Sequence, residues 1–450
     1  MNSMSDSADK GKPGRAAYIN ARLLDPASGL DALGALLVEN GRIADFGPRL
    51  FNDGVPAGTA SIDCNGACLA PGLVDMRVQL REPGEEHKET IKSAGLAAAR
   101  GGITAMVALP NTEPIVDDVA GVEFVARRAR EAKLVKVYTY AAITRGLAGT
   151  EITEIGLLAE FGARGFTDGL KAVADAQVMR RALSYARAHD QLIVQHPEEP
   201  SLADGAMNEG VTATRLGLAG IPTTAETIMV ERDLRLVELT GGRYHAAHVS
   251  TAAAIEAIRQ AKVRGLQVTC DTAPQYFMLT EADVGDYRSF AKVSPPLRCE
   301  ADRAAVAAAV AAGTIDAVAS DHSPHDQESK RQPFAVADPG MAGLETLLPL
   351  TLALVHKKQM SLLDAVARLS TRPAEILRLN AGRLAKGAPA DLTIFDPEET
   401  WTIDPDAFLS KSKNSPFDNY PARGRARATV VDGRMIFGAD TYGRAPASVA

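Results

Sequence analysis

The chain has 450 residues, 46% hydrophobic and 23% charged, with a formal net charge of -7. That modest acidic excess, with both signs interspersed, leaves no basic footprint for nucleic acid, and no apolar run approaches the ~18 residues a membrane-spanning helix needs. The length exceeds one ordinary domain and accommodates a parallel β/α barrel of ~250 residues with a small companion.

Residues 1–14 are polar and are expected to form a disordered tail. No secretion-type apolar segment opens the chain, and the four cysteines, Cys64, Cys68, Cys270 and Cys299, form no CxxC pair. Reduced thiols and a cytoplasmic location are expected. From Arg15 onward short strands alternate with tight turns. The first clear hairpin, Ala35 to Phe46, turns at Asn40-Gly41, a pair suited to type I′ geometry. A near copy, Ala428 to Phe437, turns at Asp432-Gly433 near the other end. Residues 15–70 and 386–450 are therefore expected to form one composite β-sandwich domain.

Between 71 and 385 the pattern changes to apolar strands alternating with Ala/Arg/Glu-rich helices. Strands are expected at Ile103–Leu109, Gln191–Gln195 and Leu266–Cys270, and helices at 122–132, 176–189 and 251–264. Such alternation predicts a parallel sheet closed as a (β/α)8 barrel. Residues 202–218 and 327–339 have weak periodicity and are expected to be irregular loops, of the kind that cover or line a barrel mouth.

Polar residues follow several of these strands: Asp168, His196, His248 and Asp321. In a barrel those positions share the catalytic rim. Two imidazoles with carboxylates make a donor set suited to zinc. Taken singly, each is as well explained as a satisfied polar residue at a strand end.

The motifs are more specific. Pro71-Gly-Leu-Val-Asp75, Leu80-Arg-Glu-Pro-Gly84, Leu109-Pro-Asn-Thr-Glu-Pro114, His196-Pro-Glu-Glu199, His248-Val-Ser-Thr-Ala252, Pro295-Pro-Leu-Arg298 and Ser320-Asp-His-Ser-Pro-His325 run through the chain. On these the protein resembles the class I dihydroorotases, cyclic amidohydrolases of de novo pyrimidine synthesis. The resemblance implies a TIM-like barrel of the amidohydrolase type and dihydroorotate or carbamoyl-aspartate as ligand. It implies metal ligation at Asp168, His196, His248 and Asp321, with Asp321 as catalytic base and acid. It also implies substrate-carboxylate contacts from Arg81, Asn111 and His325.

The first strand departs from the family pattern. Where the family carries a His-x-His zinc pair, this chain has Arg77 and Gln79. A guanidinium has no lone pair for a cation and an amide oxygen is a weak ligand. At most one zinc ion is expected, with an Arg77–Asp321 salt bridge tying up the presumed base. Ser294 and Gln275-Tyr276 also differ from the usual family residues. The favoured expectation is a catalytically impaired, homo-oligomeric member acting as a structural partner of aspartate transcarbamoylase. The alternatives are an active mononuclear zinc enzyme and a protein that binds substrate without turning it over. His322 is the best candidate for an overlooked ligand.

Overall fold

A computed structural model describes residues 14–438. The expectations for residues 1–13 and 439–450 lie outside that range. The two ends of the described chain meet in one mixed eight-stranded sheet. Its order is Arg434–Phe437, Pro421–Val431, Leu392–Thr402, Cys68–Pro71, Ala16–Asp25, Leu30–Glu39 and Arg42–Gly47, with Ala60–Asp63 beside Ala16–Asp25. A bridge between Arg42 and Pro389 draws the sheet round a separate apolar core that includes Leu23, Leu36, Ile43, Ile394 and Val430. Instead of two separate hydrogen-bonded layers, the composite unit is thus one continuous sheet. The Cys68–Pro71 strand joins its halves by pairing with both Ala16–Asp25 and Leu392–Thr402. Both hairpin turns have the left-handed backbone that type I′ requires: Asn40 φ 51°, Gly41 φ 77°, Asp432 φ 47° and Gly433 φ 74°.

Gly72 separates this sheet from the barrel. A Cβ there would lie 2.0 Å from Thr104 Oγ1, so only glycine lets the first barrel strand start so close to the second. The barrel strands are Leu73–Val78, Ile103–Ala108, Lys136–Thr139, Leu192–Gln195, Arg243–Ala246, Val268–Thr272 and Ala317–Val318. The fourth position is reduced to Phe166, which bridges Ala141 on one side and Ile193 on the other. A parallel bridge from Val78 to His322, with Gln79 N donating to His322 O at 2.8 Å, closes the ring. Leu73–Val78 and Ile103–Ala108 are buried along their whole lengths, as strands covered on both faces must be.

The helices begin where local chemistry starts them. Thr90 and Ser93 form a reciprocal capping box at Ile91–Arg100, and Asp118 caps Val119–Ala132 through Gly121 N. The segments expected to be irregular contain short pieces of structure. Val211–Leu216 is a helix flanked by a two-stranded parallel pair, and Gln327–Lys330 is one helical turn. These elements are too brief for a 3.6-residue period to register in the sequence.

Candidate active site at the barrel mouth

The strand ends bring His196, His248 and Asp321 together. His196 Nδ1 lies 2.7 Å from His248 Nε2, and His248 Nδ1 lies 3.5 Å from Asp321 Oδ1. His248 (φ 40°), Asp321 (φ 50°) and Arg81 (φ 59°) all have left-handed backbone, which non-glycine residues adopt at a cost of about 1–3 kcal/mol each. Such strain concentrated at one rim marks a functional site. The His248 amide also donates to Asp271, whose other oxygen lies 3.2 Å from His245 Nε2. Burial, and then the neighbouring Arg77 charge, push the His248 pKa down to about 4, so near neutral pH this ring is uncharged.

Arg77 enters the centre of this group. Its Nε donates to Asp321 Oδ1 at 3.0 Å, its Nη2 donates to Gly169 O at 3.3 Å, and its buried Nη1 has no acceptor among the described residues. Gln275 Nε2 donates to the second Asp321 oxygen at 3.1 Å. Burial opposes the charge on Asp321, yet His248 and Arg77 outweigh it and hold the carboxyl below the usual carboxylate range. The ion pair expected between Arg77 and Asp321 is therefore formed, and both side chains are buried.

Asp168 is engaged by another partner. Its carboxylate accepts from Thr144 N at 2.9 Å and from the Thr144 hydroxyl, while burial raises its pKa. Gln79 is likewise committed: its amide nitrogen donates to Ser323 Oγ at 2.8 Å and its oxygen accepts from Asn111 Nδ2 at 3.1 Å. Arg81 lies beside His325, with Nη2 to Nε2 at 3.1 Å, but its fork is shared with Pro324 O at 3.1 Å and Glu85 Oε2 at 2.9 Å. A ligand carboxylate at Arg81 must compete with Glu85.

One further site neighbour was not singled out from the sequence. Glu198 sends Oε2 to 3.3 Å from His196 Nε2 and leaves a buried Oε1 without a partner among the described residues. The only sequence signal was its place two residues after His196. His322, considered as a ligand, instead lies with Nε2 3.4 Å from Glu89 Oε2 and with Nδ1 accepting from Gly343 N. A cavity of about 600 Å³ opens beside the imidazole pair, lined by Leu147, Leu170, Lys171, Asp175, His196 and Glu198.

These residues do not fit the family's zinc pair. The guanidinium on Asp321 adds repulsion for any cation placed there. Among the described residues no group of three or more His, Cys, Asp or Glu is arranged to hold a metal ion.

The barrel, its polar rim and the composite sheet define the amidohydrolase fold. Residues 66–254 match the family described as "Dihydro-orotase-like", and residues 240–437 match the "Amidohydrolase family". The L-hydantoinase (dihydropyrimidinase) of Arthrobacter aurescens has the same fold, with a TM-score of 0.85 and 27% identity over 94% of this chain and 96% of that one. A D-hydantoinase at 23% identity, TM-score 0.82, shares the fold over 94% and 95% of the two chains.

Within that class the chain belongs to the dihydroorotase family. It is 46% identical to a dihydroorotase of Anaplasma phagocytophilum, covering 94% of this chain and 95% of that one. It is 47% identical to one from Syntrophotalea carbinolica, over 93% and 98%.

Proposed function

We propose that this dihydroorotase-family protein of pyrimidine biosynthesis is catalytically silent and acts as a structural partner of aspartate transcarbamoylase. The observation that carries the silence is the 3.0 Å contact of Arg77 Nε with Asp321 Oδ1. Hydrolysis or closure of a cyclic amide needs a base free to move a proton and a polarised carbonyl. Here the carboxylate in the base position is bound to a guanidinium on one oxygen and to Gln275 on the other. The partner role rests on the family resemblance, since a folded, silent barrel retains surfaces on which an assembly can depend.

A second reading is favoured by one observation, the convergence of His196, His248 and Asp321. It is an active dihydroorotase using a single zinc ion held among those residues and Asp168 to interconvert carbamoyl-aspartate and dihydroorotate.

Turnover of both compounds by the purified chain with added zinc, beside a His196→Ala control, separates the two. The silent reading expects no activity above the control; activity that the control loses establishes the enzyme instead. Mixing the chain with the aspartate transcarbamoylase of its own source and measuring co-elution tests the partner role. Separate elution at micromolar concentrations would exclude a stable assembly.

A further inference from the structure

Beside the barrel's third strand, the helix Val119–Ala132, the strand Lys136–Thr139 and the hairpin turn before Arg434 enclose a groove of about 450 Å³. Val122, Val125 and Leu134 form part of its apolar wall, and Tyr138 and Phe161 line it with aromatic rings. Phe161 is 45% exposed, so its ring is open to a ligand in the groove.

Four cations surround this cleft: Arg130, Lys133, Arg164 and Arg434. None has a carboxylate partner among the described residues. Arg164 instead lies over the Tyr138 ring, 5.3 Å from its centroid. Lys136, a fifth cation in the groove, is neutralised by Asp391 at 2.7 Å and Asp432 at 2.8 Å. The C-terminus of the helix Val119–Ala132 accounts for Arg130 and Lys133, since cations there complement the helix dipole. It does not account for Arg164 and Arg434, which reach the same groove from other elements. These four side chains bring positive charge to one groove in a chain of net charge -7.

We propose that this groove binds a phosphorylated planar heterocycle, a mononucleotide, with the phosphates on the unpaired cations and the base against Phe161 and Tyr138. The volume suits a small molecule, as ligand pockets span ~300–1,000 Å³, whereas protein partners usually take flatter surfaces. Guanidinium forks match phosphate oxygens in pairs, and aromatic faces take a base with little regard to its identity. The groove shares no lining residue with the cavity beside His196, and the proposal stands whether or not the barrel mouth is silent.

Isothermal titration calorimetry of the full chain with ATP, UTP and inorganic tripolyphosphate tests it. Both nucleotides are expected to bind saturably, and more weakly as salt is raised. The exposed double change Arg130→Glu/Arg434→Glu is expected to weaken all three probes at least tenfold. Phe161→Ser is expected to weaken the nucleotides severalfold while leaving tripolyphosphate unaffected; equal loss for all three removes the base-stacking part. Unchanged melting temperatures show that the variants are folded. No saturable binding at millimolar probe overturns the proposal, as does binding indifferent to both variants. Nucleotide binding that is absent while the double change abolishes co-elution with aspartate transcarbamoylase assigns the groove to an acidic protein surface instead.

Discussion

Arg77 Nε and Asp321 Oδ1 meet at 3.0 Å across the barrel mouth, linking the first strand to the last over 244 residues of sequence. Both side chains are almost completely buried. Removing one member of such a pair leaves an uncompensated charge, typically costing about 3–5 kcal/mol. Arg77→Met is therefore expected to lower the denaturant midpoint sharply. The double variant Arg77→Met/Asp321→Leu, which removes both charges, should recover most of the loss. A single variant as stable as the parent would show that the pair is already relaxed by water.

Placing two imidazoles at the end of the first barrel strand reverses the electrostatics. Arg77→His/Gln79→His replaces a cation and an amide by metal donors, and frees the Asp321 oxygen that Arg77 holds. Zinc content measured after dialysis should rise from well below one ion per chain in the parent to at least one in the double variant. Chelation should then lower the melting temperature of the variant and leave the parent unchanged. Equal zinc content in the two proteins contradicts this account of Arg77.

Asp75 gives a pH signature. Its side chain is fully buried and accepts from Ser320 N at 3.1 Å and Arg77 N at 3.2 Å, and burial pushes its pKa from 3.8 to about 7. Between those values the folded protein holds a proton that the unfolded chain has lost, so this group's contribution to stability falls as pH rises from about 4 to about 7. The shift corresponds to an effect of about 4 kcal/mol at most. Asp75→Asn keeps an acceptor without the charge, so its stability should gain on the parent steadily across that window. Parallel pH profiles for the two proteins would refute the assignment.

Lys330 holds down the loop that follows His325. Its buried Nζ donates to Asp338 O at 2.8 Å, Gly340 O at 3.1 Å and Lys292 O at 3.2 Å. Asp338 in turn lies 3.2 Å from His325 Nδ1, so the loop also reaches His325. Lys330→Met leaves three carbonyls without this donor, at about 1–3 kcal/mol for each that water cannot reach. Amide exchange should accelerate across residues 326–340 well beyond any change elsewhere. Uniform acceleration over the whole chain would instead indicate global destabilisation.

Much of this molecule is decided locally, and that part was legible in the residues. Asn40-Gly41 and Asp432-Gly433 turn as their φ preferences require. The apolar runs at Ile103 and Leu192 become strands of a parallel barrel because covered strands need no polar face. That Arg77 cannot serve as a metal ligand is readable without coordinates, because a guanidinium cannot ligate a cation in any fold. Partner choice was not legible in the same way. Only the folded barrel turns Asp168 toward Thr144, seats Glu89 against His322, gives Arg81 to Glu85 and surrounds Lys330 with carbonyls. Each of these is a competition among buried donors and acceptors far apart in sequence. Its outcome depends on which groups close packing brings within hydrogen-bond reach and shuts off from water.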